Sequence, residues 1–100
     1  MTPTKGEQDL VAGINAYEEG DYREASRLLQ SSLDSRLPLT DQLIKAHKYL
    51  AFIHCASGRE NRCRDEFVQI LGIDPSFELD PAEAGHPIWG PVFRGLKPRR

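Results

Sequence analysis

The chain has 100 residues, of which 39% are hydrophobic and 28% charged, with a formal net charge of −2. That length makes one domain or a piece of a repeat array, the composition is too apolar for a disordered chain, and the charge gives no overall attraction to nucleic acid. No apolar run approaches the roughly 18–20 residues that span a bilayer, and the start, MTPTKGEQD, lacks the charged-then-apolar order of a secretory signal, so a soluble protein is expected, cytoplasmic by default, with association to a cell envelope left open.

The first predicted helix starts near Thr4, which stands three residues before Glu7 in the spacing of a capping box. Leu10, Val11, Ile14 and Tyr17 recur at i, i+1, i+4 and i+7 and define one apolar stripe. Gly20 can take the left-handed conformation that ends a helix. Asp21 then caps a second helix, with Glu24 at the reciprocal position. Its stripe is Tyr22, Ala25, Leu28, Leu29 and Leu33, and Pro38 stops any continuation.

A third helix is expected from Thr40 as cap, with Leu39 and Ile44 placed to form a hydrophobic staple. Leu43, Ala46, Leu50 and Ile53 make one face, flanked by Tyr49 and Phe52, and Ser57-Gly58 marks the stop. The fourth helix, about Glu60 to Leu71, turns Cys63, Phe67, Ile70 and Leu71 inward until Asp74-Pro75 breaks it. Beyond, Asp80-Pro81 can open a short turn. Trp89, Val92, Phe93 and Leu96 then have the spacing of a last short helix, provided it starts at 88–90 so that Pro91 lies in its first turn.

Gly58 follows Gly20 by 38 residues, and around each glycine one helix ends, a polar residue follows and a second amphipathic helix returns. On these residues the chain resembles the tetratricopeptide repeat family, over about residues 5 to 77. The matching positions are Gly13, Tyr17, Gly20-Asp21-Tyr22, Glu24-Ala25 and Leu33 in one copy. In the other they are Leu50, Ala51, Gly58, Phe67 and Asp74-Pro75. Asp9 and His47 stand where the family carries an aromatic, and Cys63 stands where Ala25 stands in the first copy. The resemblance implies an all-α fold of two antiparallel helix hairpins, residues 5–37 and 41–75, followed by a capping segment and basic tail over 78–100. The tail loosely resembles proline-rich segments that follow paired repeats in some bacterial envelope-associated proteins. A hairpin cannot bury its own apolar face, and two are fewer than the usual minimum of three. The stripe from Trp89 to Leu96 is the available cover.

The resemblance further implies an adaptor or scaffold whose concave side holds a peptide or helix of a partner protein. The family's groove positions fall here on Leu10, Ile14, Tyr17, Lys48, Phe52 and Cys55. Members that clamp a carboxylate follow the lysine with an asparagine four residues on; Phe52 stands there after Lys48, so an apolar groove is expected instead. Either a partner or the chain's own C-terminal segment can fill it. Self-association through the terminal hairpin is the alternative function, and anionic-surface binding through Arg94, Lys97, Arg99 and Arg100 a lesser one. His47, His54, Cys55 and Cys63 include ligand types that zinc prefers, yet no CxxC or HxxxH spacing joins them, and packed side chains are the expectation. A Cys55–Cys63 bridge requires Cα atoms within about 7 Å, which the sequence leaves open. No phosphate-loop or nucleophile-elbow pattern occurs. No enzyme activity, metal or cofactor is implied.

Overall fold

The computed structural model of the chain describes residues 2–98, and among them it holds six helices and no strand. The all-α expectation therefore stands. Helix α1 runs Lys5–Glu18 and α2 runs Tyr22–Asp34. Helices α3, Thr40–Ala56, and α4, Glu60–Ile73, form the second pair. Two short helices follow, α5 over Pro81–Ala84 and α6 over Trp89–Leu96.

Local chemistry accounts for most of these boundaries. Thr4 Oγ1 accepts from the Glu7 N–H at 3.1 Å, and Glu7 Oε1 accepts from the Thr4 N–H at 2.9 Å. That exchange satisfies two donors that a helix N-terminus leaves unpaired. Asp21 Oδ1 caps α2 through the Glu24 N–H at 3.2 Å. Both hairpin turns hinge on a glycine in the left-handed region, Gly20 at φ +83° and Gly58 at φ +79°, a conformation that costs a residue with a Cβ.

Helix α3 departs from the expected start. Its cap is Leu39, not Thr40, and Leu39 is 57% exposed, so no staple closes over Ile44. Gln42 supplies the missing order by two bonds. Its Oε1 accepts from the Leu39 N–H at 3.1 Å, and its Nε2 donates to Glu7 Oε2 at 2.8 Å. The start of α3 is thereby tied to the start of α1.

Helix α3 packs on both α1 and α2, and α6 packs on both α3 and α4. The short C-terminal helix thus holds, beside the second hairpin, the place that α3 holds beside the first. Two apolar clusters result. One gathers Leu10, Ala25, Leu29, Ala46, Leu50 and Ile53 from α1, α2 and α3. The other gathers Phe52, Cys55, Cys63, Phe67 and Ile70 with Trp89 and Phe93 of α6. Leu29, Phe67 and Ile70 are fully buried, each contributing about 1.5–3 kcal/mol relative to exposure. Tyr17 and Tyr49 touch both clusters and join them.

Candidate functional site

The face of α3 that carries Phe52 is already covered. Trp89 lies flat on Phe52, with ring centroids 4.0 Å apart and planes 17° from parallel. His86 covers the other face of the indole at 3.5 Å and 7°. The indole Nε1–H donates to the Glu83 carbonyl at 2.8 Å, so burying the ring leaves no unpaired donor. His86 Nδ1 accepts from the Ile88 N–H at 3.1 Å, which fixes the ring hydrogen on Nε2 in the neutral form. The Glu83 side chain ties the segment to α3 and closes the cap of α5. Its Oε2 accepts from Lys48 Nζ at 2.8 Å, and its Oε1 from the Asp80 N–H at 3.2 Å.

Of the two occupants the sequence left open, the chain's own C-terminal segment is the one that packs on Phe52 and Cys55, and the six groove positions are not all available to a partner. Leu10 is 5% exposed, Phe52 2% and Cys55 4%, so none of the three faces solvent. Ile14, Tyr17 and Lys48 are half-buried, and the Lys48 ammonium is committed to Glu83. The physical reason is the apolar face that the second hairpin cannot cover alone; the stripe from Trp89 to Leu96 covers it and fills the groove. Glu83 and His86 did not emerge from the sequence. An acid in the tail matching the isolated Lys48 is the signal that could have found the first.

Cys55 and Cys63 are joined in a disulfide between α3 and α4, with Cα atoms 5.1 Å apart. Cys55 is therefore a staple beneath the seat of Trp89, not a groove contact. Elsewhere on the second hairpin His47 Nδ1 lies 2.7 Å from Glu66 Oε1, and Arg59 Nε donates to His54 Nδ1 at 3.0 Å. Among the described residues no cluster of three or more His, Cys, Asp or Glu side chains is placed to hold a metal ion. The basic end is partly absorbed as well. Arg94 Nη1 donates to the Ala84 carbonyl at 3.0 Å, and Lys97 Nζ to those of Phe77 at 2.9 Å and Pro75 at 3.2 Å. Arg99 and Arg100 lie outside the described residues.

One edge of the stack stays uncovered. Val11, read above as part of the inward stripe of α1, is 60% exposed. It lies about 100° around the helix from Leu10, and Leu10 takes the inward position. With Pro3, Gln8, Ala12, Asn15 and Pro38 it lines a shallow groove of about 930 Å³ on the outer face of α1. Glu7 borders this groove, its carboxyl held below the ordinary range first by the Gln42 amide and then by the Thr4 N–H. Shifting by 38 residues sets Gln8, Val11, Ala12 and Asn15 on Ala46, Tyr49, Leu50 and Ile53. Those α3 residues pack in one cluster with Ala25 and Leu29 of α2. The face that receives a helix in α3 is thus open in α1.

Comparison with known proteins finds no matching family model, no similar curated protein and no similar solved structure. Among the described residues no helix is long and apolar enough to cross a membrane.

Proposed function

We propose that the chain is a protein-interaction module of tetratricopeptide type, an adaptor or scaffold without a catalytic step, that receives a helix on the outer face of α1. The observation that carries this reading is the equivalence of Gln8, Val11, Ala12 and Asn15 with the α3 positions that pack against α2. An apolar centre of Val11 and Ala12 between two amides suits the anchor side chains of an amphipathic helix. The concave side serves the fold instead. Vacating it would expose Trp89 and Phe93, which are 9% and 3% accessible, at about 1.5–3 kcal/mol for each large side chain. A partner gains more readily on the edge that is already open.

The test is a photo-crosslinking amino acid placed at Val11 in the full chain, with Val68 as control; Val68 is 49% exposed on α4. Mapping the crosslinked peptides should place Val11 against a segment with apolar residues at i, i+3 or i+4 and i+7. Equal yields from the two positions, or attachment to unstructured segments, reject the reading.

A further inference from the structure

We infer that the helix received on the outer face of α1 is α1 of a second copy of this chain, running antiparallel across a two-fold axis. This rests on the reading above and names its partner. The outer face of α1 is self-complementary. Gln8 and Asn15 lie equally far from the midpoint between Val11 and Ala12. An antiparallel pair centred there sets Gln8 against Asn15 of the second copy, twice by symmetry. Each amide carries both donors and an acceptor, so the two satisfy one another. Val11 and Ala12 then meet their own equivalents at the axis, where small side chains permit close approach.

Charge favours the same antiparallel pairing. Helix α1 begins at Lys5, with Glu7 also in its first turn, and ends at Glu18 with Glu19 as its cap; its last turn holds no basic residue. Lys5 at one end and the two acids at the other oppose the helix's own dipole, which favours acids at the start, as Glu7 is, and bases at the end. An antiparallel neighbour reverses the conflict by bringing Lys5 of one copy to Glu19 of the other. The Lys5 side chain is 69% exposed while it pairs with Asp9 at 2.6 Å, and it remains accessible to a second acid.

Closure points the same way. At the far end of the stack α6 turns its apolar stripe inward, and its outward positions Pro91, Arg94 and Gly95 are exposed without a large apolar side chain among them. Head-to-tail growth would have to seat α1 on that small and charged surface, with only Ile88 at the helix cap, 50% exposed, to add apolar area. A two-fold contact between identical edges closes after two chains.

Sedimentation equilibrium on the full chain is the test. The wild type should show a concentration-dependent monomer–dimer equilibrium, weak because the contact is one helix wide, and Val11→Asp should sediment as monomer throughout. Lys5→Glu and Glu19→Lys should each weaken self-association by about two- to thirtyfold, the range for exposed ion pairs formed twice. Mixing these two variants should restore association as a heterodimer. Circular dichroism melts on each variant establish that it is folded. A wild type that stays monomeric at the highest reachable concentration overturns the inference, as does a dimer that survives Val11→Asp or a mixture that gains nothing. If the wild type is monomeric while crosslinks from Val11 map to a helix of another protein, the second copy is excluded and α1 still receives a helix. If both experiments fail, the reading of α1 falls too.

Discussion

The two hairpins share a turn and differ in what lies beside it. Gly20 and Gly58 adopt nearly the same backbone, yet Tyr17 in the first hairpin corresponds to Cys55 in the second, and Ala25 to Cys63. The first hairpin packs an aromatic against its turn, with Tyr17 stacked on Tyr22 at 5.4 Å, and the second is bridged covalently. Val11 is 60% exposed where its counterpart Tyr49 is half-buried, and Asn15 is exposed where Ile53 is 1% accessible. What a repeat position does is therefore decided by its neighbour as much as by its register. The second hairpin has α2 before it and α6 after it; among the described residues no helix lies on the outer side of the first.

Deleting the lid should break this comparison most sharply. Trp89→Ala removes the stack on Phe52 and orphans the Glu83 carbonyl, at about 3–5 kcal/mol for a large buried aromatic. Val11→Ala, on the uncovered edge, should change stability by no more than about 0.5 kcal/mol. Urea unfolding followed by circular dichroism measures both. Similar losses for the two would show that α6 does not close the stack. The disulfide comes next. Replacing Cys55 and Cys63 together by alanine should cost about 2–3 kcal/mol for so short a loop. Adding reductant should lower the wild type to match that variant and leave the variant unmoved.

The elements set by local chemistry were readable in the sequence, and those set by distant partners were not. The Thr4–Glu7 box, the turn glycines and the Trp89–Leu96 stripe depend on residues within one or two turns of each other. Leu39 as the cap of α3 depends on Gln42 reaching Glu7 across 35 residues, which no local signal marks. The occupied groove was one of two readings left open, because the same apolar residues suit a partner or a lid. Val11 was misassigned because periodicity gives the width of a stripe and not its edge. No local signal marks Gly6, though a Cβ there would lie 2.0 Å from the Arg36 carbonyl oxygen just past the end of α2.

That contact gives a further contrast between the hairpins. Gly6→Ala must push α1 from the backbone of α2 and should cost about 1–3 kcal/mol, as overpacking does. Gly72→Ala, in the last turn of α4 with open space around it, should stabilise by up to about 1 kcal/mol through helix propensity. Opposite signs in thermal melts are the expected result. A neutral Gly6→Ala would mean that the first hairpin tolerates a wider spacing than its α1–α2 approach indicates.

The smallest effects separate the hairpins by pH. In the second, burial pulls the His54 imidazole below its ordinary value, with the Arg59 charge adding to the shift and Glu66 opposing it. A fold that prefers the neutral ring draws full stability from it above the ordinary imidazole value. That contribution is lost as pH falls through the lowered one. In the first hairpin burial pushes the Tyr17 phenol up to about 12, with Tyr22, Tyr49 and Glu83 contributing less. Here the fold prefers the protonated phenol, so its contribution is present below the ordinary value of 10.0 and fades as pH rises through about 12. Urea midpoints measured across pH should therefore fall at both ends for different reasons. His54→Gln should flatten the acid limb alone and Tyr17→Phe the alkaline limb alone. A single substitution that moved both limbs would mean that the two hairpins titrate as one unit, coupled through Tyr49 and Phe52 more tightly than their separate clusters suggest.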